Sequence, residues 1–275
     1  MWLFLAVWCY TTANSSRHNP TPSPVDRYDQ PLCPTRLSNF FVGGNPMRWI
    51  AKTTTLSIRP YQKQDRAGLM KIAADTAFFG EPIEKYMEDR RIFLDSFYAY
   101  YTDYEPEHCW VALDNQLVVG FLTGCANTTR QQQINRRNIM PRVYWRFLTM
   151  QYKPGPKAWS YFRRMARAQR AHQFAEADLN LYPAHLHINV DAAYRGHGIG
   201  LRLMQSFLDQ LIYERIPGVH LGTSSENEGA CRLYTQLGFQ LLDARITSLW
   251  EDIIDHPVEN RTYGLLLPDP PEQIF

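Results

Sequence analysis

The chain has 275 residues, 45% of them apolar and 13% aromatic, with a formal net charge of +2. That length fits one large domain or one domain with extensions, and the composition is that of a soluble globular protein able to bury a sizeable core. So balanced a charge selects no class of partner. The five cysteines (Cys9, Cys33, Cys109, Cys125 and Cys231) are odd in number and form no CxxC pair, which argues against a zinc ribbon and a disulfide framework. They read as free thiols in a reducing, cytoplasmic setting.

Met1 to Cys9 reads MWLFLAVWC. This apolar run is shorter than the ~20 residues of a membrane span and lacks the basic start of a secretory signal. No membrane association is expected. The stretch to Pro46 is rich in Ser, Thr, Asn and Pro. Residues 1–54 therefore read as a poorly ordered extension, with a weak signal peptide, or upstream sequence before a true start at Met47, as the alternatives.

Ordered sequence is expected over 55–268, with 269–275 as a tail. Thr55–Pro60 alternates as a strand does. Gln62–Phe79 and Glu81–Tyr101 have helical spacing. Cys109–Leu113 and Leu117–Cys125 read as a β-hairpin turning at 114–116. The segment 128–182 is helical, aromatic and basic, an insertion before the next strand, His185–Val190. Gly198–Tyr213 is an amphipathic helix with Met204, Phe207, Leu208, Leu211 and Ile212 on one stripe. Val219–Thr223 is a strand, Asn227–Leu237 a helix, and Phe239–Trp250 and Thr262–Leu267 close the chain as strands. The order predicts a mixed α+β fold whose central parallel strands are joined by a crossover helix.

Between the strand ending at Val190 and the helix starting near Gly198 lies Arg195-Gly196-His197-Gly198-Ile199-Gly200. Glycines allow close backbone approach. Free amides at a helix N-terminus favour an anion, and Arg195 adds positive charge. The implied ligand group is a pyrophosphate. The spacing is neither that of a Walker loop nor that of the dinucleotide fingerprint, and a plain tight turn is the competing explanation.

A second motif follows: Asn227, Ala230, Leu233-Tyr234, then Gly238-Phe239. Together the two motifs resemble those of the GNAT N-acetyltransferase superfamily, with Arg195, Gly198 and Gly200 matching the first and Asn227, Ala230, Leu233 and Tyr234 the second. The resemblance extends loosely over 55–267 and leaves out residues 1–50 and the basic insertion. It implies the acyl-CoA N-acyltransferase fold: α/β/α layers around a mixed, mostly antiparallel sheet whose central parallel strands splay apart, with the helical insertion between the third and fourth strands. It also implies acetyl-CoA as cosubstrate and no metal. The cofactor arm would lie along Asn189 and Val190, the pyrophosphate on residues 195–200, and Asn227 near the arm.

Acetyl transfer to an amine needs a neutral amine, donors for the oxyanion and a proton for the leaving thiolate. Tyr234 matches the family position for that proton donor, its ordinary pKa of ~10 lying not far above that of a thiol. The competing assignment is a helix residue packed on the sheet. For the base, His187 leads, ahead of His185 and Glu226. His185, His187 and Asn189 alternate and so share one face of their strand, and histidine titrates near neutrality. Structural histidines, and a mechanism that relies on water chains, remain alternatives.

Residues 128–172 hold eleven Arg or Lys and no Asp or Glu. A solvated basic face is the leading explanation. An anionic acceptor or the cofactor's 3′-phosphate comes next, and nucleic acid last. The expected activity is acetyl transfer to a primary amine of a small molecule or protein. A non-catalytic acyl-CoA-binding module, or an acetyltransferase for a nucleic-acid-associated substrate, is the alternative.

Overall fold

The computed structural model describes residues 56–269. The expected extension over 1–54, nearly all of the tail, and Cys9 and Cys33 lie outside the described residues. Seven strands form one sheet in the order β1-β2-β3-β4-β5-β7-β6. They are β1 (Leu56–Pro60), β2 (Cys109–Asp114), β3 (Leu117–Cys125), β4 (Ala184–Val190), β5 (Gly218–Ser224), β6 (Gln240–Thr247) and β7 (Val258–Leu266). Every neighbouring pair is antiparallel except β4 and β5. The β2–β3 hairpin turns through Asn115 and Gln116, and Asn115 takes the left-handed conformation (φ 57°) that such two-residue turns favour.

Successive residues of a strand face opposite sides of a sheet, and β3 buries both. Phe121 joins the core under the N-terminal and inserted helices. Leu122 joins a second core under the crossover helix. The resulting α/β/α layering places α1 (Arg66–Asp75), α2 (Arg90–Phe93), α3 (Ala99–Asp103), α4 (Thr128–Ile134), α5 (Met140–Leu148) and α6 (Pro156–Arg170) with the first core. On the other side lie α7 (Ile199–Tyr213), which connects β4 to β5, and α8 (Glu228–Gln236).

Several boundaries differ from the sequence reading. α1 stops at Asp75 rather than Phe79, because Thr76 Oγ1 turns back onto the carbonyl of Ile72 at 2.7 Å and both Phe79 and Gly80 have positive φ. The helix expected over 81–101 begins only at Arg90, where the Asp89 side chain caps it; the preceding Ile83–Lys85 is a single 3₁₀ turn behind Pro82. It then passes through a π-turn, Leu94–Tyr98, before α3. A second π-turn, Asn135–Ile139, links α4 to α5. β6 ends at Thr247, three residues early, and β7 begins at Val258, four residues early.

Candidate active site

β4 and β5 pair only at Ala184↔Val219 and His185↔His220. From Leu186 onward the strands part, while β5 stays paired with β7 as far as Ser224↔Asn260. The β5-facing backbone edge of β4 from 186 to 190 is thus free of sheet partners, and a cleft of about 1170 Å³ opens at the split. Its lining includes Tyr194, Arg195, Gly196 and Gly198–Gly200, the start of α8, and the aromatic residues Phe79, Phe93, Phe97, Tyr161 and Trp250.

The glycines at the cleft's polar end do different jobs. Gly196 (φ 80°) and Gly198 (φ 71°) are left-handed, and a Cβ on either would project into open space. Gly198 is the N-cap of α7, so the amides of that helix's first turn face the same opening. Gly200 instead makes room for α8, since a Cβ there would lie 3.3 Å from Leu233 Cδ2. Arg195 is a strap across this end: Nε donates to Val190 O at 3.3 Å and Nη2 to Gly80 O at 3.1 Å. Both acceptors are uncharged, so they leave its positive charge beside the loop uncancelled. His197 Nδ1 turns back onto the carbonyls of Tyr194 and Arg195.

Tyr234 lies on α8 with its ring against Phe239 and Tyr263, and it also lines the cleft. Burial pushes its phenol well above the ordinary value, so it keeps its proton at neutral pH. Among the described residues its hydroxyl has no hydrogen-bond partner. Asn227, the N-cap of α8, holds Thr223 Oγ1 at 3.4 Å.

The face of β4 that looks toward α3 carries a linked set of polar groups. Asn189 Nδ2 donates to Thr76 Oγ1 at 2.7 Å, and Tyr98 donates to its Oδ1 at 3.4 Å. His187 Nε2 lies 3.0 Å from Tyr101 Oη, which lies 2.6 Å from His185 Nε2. His185 Nδ1 meets Thr128 Oγ1 at 2.7 Å, and that hydroxyl donates to Pro183 O at 2.7 Å. Burial, then the neighbouring histidines, lowers His185 well below the usual imidazole value, and burial with His220 lowers His187 to about 3. Burial also lowers His220, whose Nδ1 donates to Tyr182 O at 2.8 Å. His187 lines both the main cleft and a smaller cavity of about 120 Å³ behind it, where the buried Asn135 Oδ1 has no partner among the described residues.

Residues 165–239 match the model of the acetyltransferase (GNAT) family. Over 58 residues, 21% of this chain, the sequence is 41% identical to N-alpha-acetyltransferase RimI of Mycobacterium tuberculosis (strain ATCC 25618 / H37Rv), and the match spans 35% of that relative's length. The fold also superposes on the crystal structure of SsHAT with a TM-score of 0.61 at 27% identity, covering 78% of this chain and 99% of that one. The matched segment and the fold together support assignment to the GNAT N-acetyltransferase superfamily.

Within this GNAT fold the motif residues come together as the sequence arranges them: Asn189, Val190, residues 195–200, Asn227 and Tyr234 all lie along or beside one cleft. Two expectations need revision. His185 is fully enclosed with both ring nitrogens engaged, so it has no lone pair to offer a substrate. The basic insertion is not one solvated face: Arg164 is buried and bonded to Leu249 O and Asp252, Arg146 pairs with Asp95, and Arg167 pairs with Glu251. Arg136, Arg137, Arg142, Arg163 and Arg170 are exposed. Of α6, it is the apolar side, Tyr161 and Met165, that reaches the cleft. Glu226 sits at the rim, 3.2 Å from His256 Nε2.

Tyr101, Thr128 and Thr76 were missed as site residues. Tyr101 stands 84 positions from His185 in an aromatic-rich helix, where spacing alone reads it as core. Thr128 follows Asn127, whose side chain caps α4, and so reads as helix-start chemistry.

Proposed function

We propose that this domain transfers the acetyl group of acetyl-CoA to a primary amine carried on an apolar or aromatic body, by direct attack in a ternary complex. The observation that carries this reading is a single cleft lined at once by the glycine loop, Tyr234 and a group of aromatic rings. The cosubstrate fits the residues present. Its pyrophosphate suits the open space over Gly196 and Gly198 at the positive end of α7, and its amide-bearing arm suits the unpaired edge of β4. When bound, it supplies an activated thioester.

In this reading the chain's own groups divide the work. Tyr234 Oη, still protonated and without a protein partner, donates to the departing sulfur. His187, held neutral by burial, is too weak a base to store a proton. It accepts a hydrogen bond from the uncharged amine and aims the amine's lone pair at the carbonyl carbon. As the C–N bond forms and the C–S bond breaks, sulfur takes the Tyr234 proton, and the proton shed by the nitrogen restores the phenol through water. The aromatic rings of the lining desolvate the acceptor's body and select against hydrated, highly charged amines. Glu226 at the rim favours an arriving ammonium over an anion, so an apolar amine replaces the anionic acceptor that the insertion's charge suggested. The name of the mycobacterial relative brings a protein α-amine into the same class of acceptors.

The test is thiol release from acetyl-CoA with a panel of phenylalkylamines, alkylamines, polyamines, acidic amines and peptides starting in apolar or acidic residues. Amines with apolar bodies should give the highest kcat/KM. Preference for acidic or polycationic acceptors would overturn the acceptor assignment. Tight binding of acetyl-CoA with no turnover across the panel would favour a non-catalytic acyl-CoA-binding module.

A further inference from the structure

We propose that Thr128, His185 and Tyr101 form a one-way hydrogen-bond chain that fixes the tautomer of His187, leaving its Nδ1 as the ring's acceptor. The argument is a count of protons. Thr128 has one hydroxyl hydrogen, and it goes to Pro183 O at 2.7 Å. At its contact with His185 the same oxygen can therefore only accept, so His185 Nδ1 carries the hydrogen across that 2.7 Å bond. A neutral His185 then has a bare Nε2, which accepts from Tyr101 Oη at 2.6 Å. Tyr101 has now spent its only hydrogen. Its oxygen accepts from His187 Nε2–H at 3.0 Å. A neutral His187 protonated at Nε2 has its lone pair on Nδ1.

The neutrality this count requires has a structural cause. His185 is enclosed, the third histidine of the group, His220, stands 5.7 Å from it ring to ring, and Phe97 covers the His187 ring at 4.4 Å. Tyr98 and Tyr101 pack on the same side. Crowding among three imidazoles disfavours charge on any of them. Because a carbonyl cannot donate, the chain has one direction, and Pro183 anchors it.

Thr128, His185 and Tyr101 are thus positioning residues acting through His187. The inference depends on the proposed acetyl transfer only for its consequence in turnover. The tautomer itself is open to spectroscopy on the full chain, labelled with ¹⁵N-histidine. The His187 signals, identified by their loss in His187→Gln, should show a protonated Nε2 and a bare Nδ1. Thr128→Val removes the acceptor for His185 Nδ1. The count then reverses: His185 protonates Nε2, Tyr101 donates to His187, and the His187 hydrogen moves to Nδ1. In that variant kcat for the best amine should fall at least tenfold, with the Kd for acetyl-CoA unchanged. Thr128→Ser keeps the hydroxyl and should keep the wild-type His187 spectrum. An unaltered His187 tautomer in a folded Thr128→Val protein overturns the proposal. Inversion of the tautomer with no change in kcat leaves the lock standing and removes His187 from the proposed chemistry.

Discussion

Arg164 Nε donates to the carbonyl of Leu249 at 2.7 Å, with the arginine almost wholly buried. The bond ties α6 of the insertion to the turn after β6, and the same guanidinium reaches Ser160 and Asp252. This arginine is a strut of the fold, although the sequence shows it only as one of a row of positive charges. Arg164→Ala leaves a buried carbonyl without its donor and opens space under α6, which should cost about 2–3 kcal/mol. Arg163→Glu, one residue away and exposed, should change stability by less than about 0.5 kcal/mol. Urea unfolding of the two single variants checks the contrast. Equal losses would mean that the Arg164 contacts contribute no more than a surface charge.

The sequence announces what depends on local chemistry. A glycine loop between a strand and a helix, and an Asn and a Tyr at fixed places on the next helix, are short-range signals, and they locate the cleft. Long-range pairing leaves no such mark. Nothing near Arg164 announces Leu249, 85 positions away, and nothing near His185 announces Tyr101. Charge misled for the same reason. Asp95, Glu251 and Asp252 lie outside 128–172, so the segment looked uncompensated until folding brought them alongside. Helix boundaries around 76–103 were illegible because a side-chain bond at Thr76 and the π-turn at Leu94–Tyr98 decide them, and neither has a hydrophobic period.

The glycine loop should separate conformation from ligand space. Gly198→Asn is tolerated at φ 71° better than other substitutions, because asparagine visits the left-handed region. The fold should survive with a loss of about 1 kcal/mol. The new side chain projects into the open space above the loop, so the affinity for acetyl-CoA should drop roughly tenfold or more, the equivalent of about 1.4 kcal/mol. Calorimetric titration beside a thermal melt reads both effects. Unchanged affinity in a folded variant would place the pyrophosphate elsewhere.

Tyr234→Phe removes a hydroxyl that bonds to nothing else among the described residues, while the ring keeps its contacts with Phe239 and Tyr263. Stability should hardly move. The chemical step should slow by roughly 10²-fold, as expected for the loss of one positioned acid, with the Kd for acetyl-CoA unchanged. Single-turnover kinetics isolates that step. A variant as fast as the parent there would reduce Tyr234 to a packing residue.

His108 gives the fold a pH limit on the alkaline side. Its Nδ1 lies 2.7 Å from Glu105 and its Nε2 2.7 Å from Glu214, joining the loop before β2 to the end of α7. Burial pulls the imidazole down, but hydrogen bonds to Glu105 and then Glu214 outweigh it and raise the pKa to about 9. In the unfolded chain the value is ~6.5. A folded value above the unfolded one means that the native state binds the proton more tightly. The stabilisation is therefore complete below about pH 6.5 and disappears as pH rises toward about 9. For a shift of this size the upper bound is about 3 kcal/mol. The protein should lose stability between pH 7 and 9, and His108→Gln should be less stable at pH 6 and flat across that window. Chemical unfolding at half-unit pH steps tests it. Parallel curves for the parent and His108→Gln would show that the imidazolium contributes nothing to the fold.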